Sequence, residues 1–339
     1  RKAFEQWAAV GDNQLITWKK SVHNPTLSLS ADAAAGISPE WRDPFMFQAG
    51  GRTFLLLGAC GEAGVPIFEA QDSSLTRWKH VGRLLDAHVE CPNFFQLNEK
   101  WIFVSSPFDL VNFSVGTFDL ETLIFSAEIR GIIDRGHYYG TNMVTDDRAR
   151  CILFGWIPGW NWDVFQFGRG WNGCMSLPRI LTLDQENRLL QNPVPEIQSL
   201  RISDGHRHLH KVEVDDSHPL QMELHDVSEL SLELSGIQSA SWELRLANEK
   251  REPVFAIRHD RQSQSLQVAD APPLAADTRP DLKLHIFIDR SVIEVYVNDG
   301  EAVVSRMFPS ALGNMRMEIS AGCGGVSIKS LDIWKLLPA

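Results

Sequence analysis

Tyrosine is scarce in this chain: three occur among 339 residues, beside eleven tryptophans. Exposed tryptophan faces stack on sugar rings, although most tryptophans are simply core. Positive charge is also short, with 32 Lys and Arg against 43 Asp and Glu and a formal net charge of -11. Nucleic acid and anionic membranes both need a basic surface, so the balance argues against either as a partner. It leaves a neutral substrate open. No apolar run reaches membrane-spanning length, and no signal peptide is visible. The five cysteines (Cys60, Cys91, Cys151, Cys174 and Cys323) are odd in number and never spaced as CxxC. That argues against a disulfide framework and for mostly buried free thiols. Long amphipathic helix patterns are missing too. The chain opens on RKAFEQ without methionine, which points to upstream sequence, and no compartment is read from that start.

What is present is a globular composition, 44% hydrophobic and 22% charged, and enough length for two domains. The first half repeats itself. DNQLITWKK at 12–20 matches DSSLTRWKH at 72–80, aligning Asp12, Leu15, Trp18 and Lys19 with Asp72, Leu75, Trp78 and Lys79. DLETLIF at 119–125 is a looser copy. RDP at 42–44, EC at 90–91, DRGHYYG from 134 and SLPR from 176 follow at about the spacing of β-propeller blades. Short apolar stretches bounded by Gly, Pro or Ser, such as TFLLLGA and WIFVSSP, read as the strands between.

Beyond a polar, proline-containing connector the pattern alternates with period two: LSLELSG, WELRLAN and LKLHIFIDRSVIEVYVND. Leu284, Ile286 and Ile288 then face one way, with His285 and Phe287 on the other side. Such strands predict an antiparallel sandwich. The expected architecture is all-β, with a propeller over 1–190, a linker over 191–205 and a β-sandwich over 206–339.

Two stretches carry the chemistry. WRDPFMF at 41–47 and VECPNFF at 89–95 each present a carboxylate, then a proline, then aromatics. In a propeller the first strand of each blade lines the central axis, so Asp43 and Glu90 converge despite the intervening sequence. Two carboxylates presented alike suit acid–base and electrostatic work; the plain alternative is a pair of structural salt bridges. Cys91, beside Glu90, reads as a buried neighbour and not a nucleophile. His206, His208 and His210 of HRHLH share a strand face that can bind Zn²⁺, but they lack a carboxylate nearby in sequence, so a half-exposed sandwich strand without metal is the expectation. GEAG at 61–64 reads as a hairpin turn and no phosphate loop. Asp289 and Glu294 read as structural. Most of Trp156, Trp160, Trp162 and Trp171 are expected in the core, with one or two touching sugar.

Taken together, WRDPFMF, ECPNFF, GTFDLETLIF, DRGHYYGTNM, CILFGWIPGW, GWNGCMSLPRILTL and IFIDRSVIEVYVNDGE resemble glycoside hydrolase family 32, the β-fructosidases. The resemblance covers nearly the whole chain and implies a five-bladed propeller followed by a β-sandwich. It implies a retaining glycosidase acting on sucrose or fructans, a fructose-containing saccharide as partner, and no metal or organic cofactor. By resemblance Glu90 is the general acid/base and Asp43 the transition-state stabiliser, with Arg42 orienting Asp43. Tyr139 and Trp156 match positions lining the sugar pocket, and Cys91 and Arg42 are expected with them among the substrate-binding residues. In these surroundings Glu90 is expected to hold a proton near neutrality, and Asp43 to stay ionised beside arginine.

One departure stands out. The family nucleophile lies in a WMNDPNG-like motif, and no Asn-Asp-Pro triplet occurs here. HNPT at 23–26 has no carboxylate, and WNWDVF at 160–165 falls in the wrong blade. The chain is therefore expected to begin within the second blade as part of a longer enzyme. The alternatives are a non-catalytic fructan-binding or scaffold protein, or a second chain that completes the ring. An open ring exposes apolar packing surfaces, which predicts a homodimer or another cover. An arabinanase-like five-bladed glycosidase fits less well, given GWNGCMSLPR and the attached sandwich.

Overall fold

The computed structural model describes residues 4–29, 37–158, 170–275 and 279–337. Trp160, Trp162 and the rest of WNWDVF lie outside them. The chain divides into two compact units, the first built from Arg1–Ile133, Tyr139–Gly155 and Leu183–Arg188, the second from Asp134–Tyr138, Trp156–Thr182 and Leu189–Ala339.

In the first unit, β1 (Ala9–Gly11) and β2 (Trp18–Lys20) form an antiparallel ribbon. Next, β3 (Arg42–Ala49), β4 (Arg52–Gly58), β5 (Val65–Ala70) and β6 (Trp78–Leu85) pair in chain order as a four-stranded sheet. A second such sheet holds β7 (Glu90–Leu97), β8 (Lys100–Ser106), β9 (Asn112–Asp119) and β10 (Ile124–Ile132). These meanders are propeller blades, and β11 (Tyr139–Thr145) and β12 (Cys151–Ile157) follow them.

The sequence repeat is a turn. Asp12 accepts hydrogen bonds from the backbone N–H groups of Gln14, Ile16 and Thr17, and Asp72 from those of Thr76 and the Arg77 guanidinium. Leu15 and Leu75 both adopt φ of 56°, the left-handed residue that closes a turn into a hairpin with a bulge. The indoles of Trp18 and Trp78 then donate to the carbonyls of those leucines, at 2.9 and 3.2 Å. Asp146 and Asp184 build the same turn with Arg150 and Arg188, ahead of left-handed Ala149 and Asn187.

The aromatics after RDP and ECP pack the two four-stranded sheets together. Phe47 stacks on Phe54 at 5.1 Å and meets Phe94 edge-on, and Phe94 stacks on Trp101 at 4.7 Å. These rings sit in one buried cluster with Leu56, Ile67, Phe103 and Phe125.

Further along the chain come β13 (Cys174–Met175), β14 (Arg179–Leu183) and β15 (Leu189–Pro193). The remaining strands are β16 (Arg207–Val214), β17 (Leu220–Leu224), β18 (Val227–Ser235), β19 (Trp242–Ala247), β20 (Pro253–Asp260), β21 (Ser265–Val268), β22 (Leu274–Ala275), β23 (Asp281–Asp289), β24 (Val292–Val297), β25 (Ala302–Met307), β26 (Met315–Ala321) and β27 (Val326–Lys335). They make two six-stranded sheets, in the orders β16-β27-β18-β23-β24-β25 and β17-β26-β19-β20-β21-β22. Their facing sides interdigitate as a sandwich core containing Leu230, Leu232, Leu284, Ile286, Ile288, Leu244 and Ile319.

The outer side of the β23–β24 pair is not a wet face. Phe287, Glu294 and Tyr296 are buried there. Fully buried Arg179 donates to Asp134 at 2.9 Å, Glu294 at 2.7 Å and Ser305 at 2.9 Å, with the Tyr138 ring 4.2 Å from its guanidinium carbon. Burial pushes the Glu294 carboxyl up, and the Arg179 charge and the Leu177 N–H oppose that push. A buried cation with two carboxylates is held by such pairing, and removal of one partner leaves the other uncompensated. Arg179→Met is expected to destabilise the second unit by about 3–5 kcal/mol. The urea unfolding midpoint measures this, and a midpoint equal to wild type would refute it.

Candidate active site

The site grows from a shared irregularity in the inner strands of the first unit. Arg42, Glu90 and Tyr139 are the first residues of β3, β7 and β11. Each is followed by a left-handed residue: Asp43 at φ 57°, Cys91 at 45° and Gly140 at 58°. For a residue with a Cβ this conformation costs about 1 kcal/mol or more. In β3 the ladder skips from Arg42 to Phe45, and in β7 from Glu90 to Asn93. Two residues thus bulge opposite one, and the second of them is proline, which has no N–H for the ladder to lose. The bulge turns the side chains before it out of the regular pleat. Gly58, at the end of β4, lets β7 approach closely: a Cβ there would lie 3.0 Å from both Pro92 Cδ and the Val89 carbonyl.

Three inner strands therefore bring three side chains to one place. Arg42 Nη2 donates to Glu90 Oε1. The Tyr139 hydroxyl lies 2.9 Å from Glu90 Oε2 and 3.1 Å from the Ser106 carbonyl, and it accepts the Phe108 N–H at 3.0 Å. Glu90 is buried, and Asp43 is partly open, with a quarter of its side chain (26%) exposed. Asp43 Oδ2 accepts the backbone N–H of Cys91 at 3.1 Å.

Arg42 is placed differently from the sequence expectation. Its strong partner is Glu90, and its Nε stands 3.9 Å from Asp43. The reason is register: Arg42 and Glu90 occupy the same position in neighbouring blades, whereas Asp43 sits one step on, at the bulge. Asp43 is instead oriented by the main chain of Cys91. Burial works against the Arg42 charge, but Glu90, then Asp43 and Glu40, outweigh it and raise the guanidinium above its usual value. Burial first, then the Asp43 and Glu90 charges, pushes the Cys91 thiol up to about 12. Cys60 is likewise raised to about 12, by burial and then by Asp43.

Trp156 belongs to the second unit, where its indole N–H donates to the Asn172 carbonyl at 3.3 Å and its backbone pairs with Met175. It is half-buried and Trp171 is exposed, whereas Trp41, Trp101 and Trp242 are buried in the core. Asn93, which the sequence reading left unused, ties the inner strands together. Its amide donates to the Cys91 carbonyl at 2.9 Å and the Thr141 carbonyl at 3.1 Å, and its Oδ1 accepts the Met143 N–H at 2.7 Å. A lone asparagine between proline and two phenylalanines was the available signal, because a buried amide must find partners.

A buried carboxyl with two fixed donors, beside a more open carboxylate on a rigid strand end, can pass a proton and stabilise positive charge. Comparison with known proteins identifies the family. Residues 1–193 match the glycosyl hydrolases family 32 N-terminal domain, and residues 196–335 the glycosyl hydrolases family 32 C-terminal domain. The sucrose-6-phosphate hydrolase of Bacillus subtilis is 26% identical, over 98% of this chain and 73% of that protein. An Escherichia coli raffinose invertase is 26% identical, over 87% of this chain and 67% of its own length. Among solved structures, a Bombyx mori family 32 β-fructofuranosidase superposes with a TM-score of 0.78 at 22% identity, covering 98% of this chain and 73% of that one. With both halves matched in order, the chain belongs to glycosyl hydrolase family 32.

Proposed function

We propose that this chain carries the acid/base and transition-state-stabilising residues of a retaining glycosidase acting on β-D-fructofuranosides such as sucrose or fructans. The observation that carries this reading is the Arg42–Glu90–Tyr139 cluster with Asp43 beside it. Glu90 delivers a proton to the leaving oxygen and afterwards takes one from the attacking water. Arg42 and Tyr139 fix the plane of its carboxyl. Asp43 contacts hydroxyls of the fructosyl ring and opposes the charge of the oxocarbenium-like transition state. The names of the relatives, a sucrose-6-phosphate hydrolase and an invertase, support a fructoside substrate.

Retention also requires a carboxylate nucleophile about 5–5.5 Å from the acid. The family resemblance places it in an Asn-Asp-Pro triplet that these 339 residues do not contain. That observation favours a second reading, in which the same cluster binds a fructoside without turnover.

Fructose release from sucrose, inulin and levan by the purified chain separates the two. Where fructose is released, Glu90→Gln should lower kcat by about 10²–10⁴-fold with KM little changed. Asp43→Asn should lower kcat to a similar degree while the fold is kept. Sugar binding without release would replace the hydrolase reading with the second one. Proton NMR of the first product tests the stereochemistry, since initial α-fructofuranose would rule out retention.

Cys91 takes no chemical part in this scheme. Its raised thiol holds little thiolate at pH 8. Iodoacetamide at that pH is expected to spare Cys91 and to modify exposed Cys323 first, as read by peptide mass. Fast labelling of Cys91 would contradict this picture of the site.

A homodimer is proposed as well. Trp7, Val10, Leu15, Ile16, Trp18 and Val22 are all exposed on and around the β1–β2 ribbon, and apolar surface of this kind calls for a cover. Sedimentation velocity should give twice the chain mass, and a monomer at micromolar concentration would refute it.

A further inference from the structure

We propose that His206, His208 and Asp332 form a binding site for a divalent transition metal on the sandwich, with Zn²⁺ the ion their donors fit best. The site stands outside the fructoside chemistry and lies wholly in the second unit. The sequence showed a histidine row without a carboxylate. The fold supplies one from 124 residues away.

Strand pairing does the placing. His208 on β16 lies directly opposite Asp332 on β27. His206 precedes it by two residues and so shares its face. His206 Nε2 and His208 Nδ1 each lie 2.8 Å from the same oxygen, Asp332 Oδ1. The three ligating atoms all fall within 4.8 Å of one another. The His206 ring is stacked on Trp334, with centroids 4.9 Å apart and planes 3° off parallel, which fixes its direction. His210 is not part of the set: it lies opposite Ser330, two residues along the ladder.

Two imidazoles and a carboxylate are a donor set that Zn²⁺ accepts in open tetrahedral sites, with bonds of about 2.0–2.2 Å and a water in the fourth position. A tetrahedral centre with such bonds sets its ligand atoms about 3.3 Å apart. The two 2.8 Å contacts need to open by only about half an ångström, a rotamer adjustment that exposed side chains make easily. β16 is the edge strand of its sheet, and both imidazoles are exposed, so an ion reaches them from solvent. Once bound, the ion would clamp that edge strand to β27.

Calorimetric titration of ZnCl2 into the whole, metal-stripped chain tests the site. The wild type is expected to bind one equivalent more than His206→Ala/His208→Ala. Asp332→Asn should weaken that equivalent by about tenfold or more, and His210→Ala should leave it intact. Equal stoichiometry and affinity in the wild type and the double variant would overturn the proposal, as would no binding at millimolar zinc. If a variant unfolds by circular dichroism, Co²⁺ added to the wild type decides. A tetrahedral d–d spectrum without a thiolate charge-transfer band supports these ligands. A thiolate band, which would assign the ion to cysteine, or no tetrahedral spectrum, overturns them.

Discussion

A left-handed residue at the second position of each inner strand governs the site. The backbone strain at Asp43 and Cys91 is tolerated because the proline after each needs no ladder partner. The strand start is thereby bent, and the preceding residue points where a regular pleat would not send it. Repeated in successive strands, the same bend presents Arg42, Glu90 and Tyr139 to one another. The cluster's geometry is thus a property of the repeat as well as of its individual residues.

Two ionic clusters show how position decides what a charge does. Arg179 lies fully buried between Asp134 and Glu294, with backbone and hydroxyl donors satisfying the remaining oxygens. Such a cluster is sealed, and its contribution is structural. Arg42 sits at a strand end, a third exposed, and shares its charge between Glu90 and the nearer edge of Asp43. There the carboxylates stay within reach of a ligand.

Much of this was legible in the sequence. The twofold alternation around Leu284, Ile286 and Ile288 gave the sandwich core, because one sheet face must shed water. The Asp–Leu–Trp–Lys repeat marked the blades, and its physical content is a capped turn with a left-handed leucine. The two carboxylates could be named from RDP and EC. What could not be read was partnership. Arg42 chose Glu90 over its own neighbour because bulge and register, set by long-range pairing, decide who faces whom. Asn93, the Arg179 cluster and the Asp332 carboxylate beside the histidines were hidden for the same reason: their partners lie far off in sequence.

The position of β27 in its sheet has a consequence for synthesis. This strand pairs with β16 on one side and β18 on the other, so it is inserted between two strands that precede it by some ninety residues or more. The blades are hairpins that close among near neighbours and are free to form while the ribosome is still at work. The sandwich has to wait. Until β27 emerges, β16 and β18 each carry an unpaired edge beside an open apolar face, which is the surface on which a nascent chain pairs wrongly.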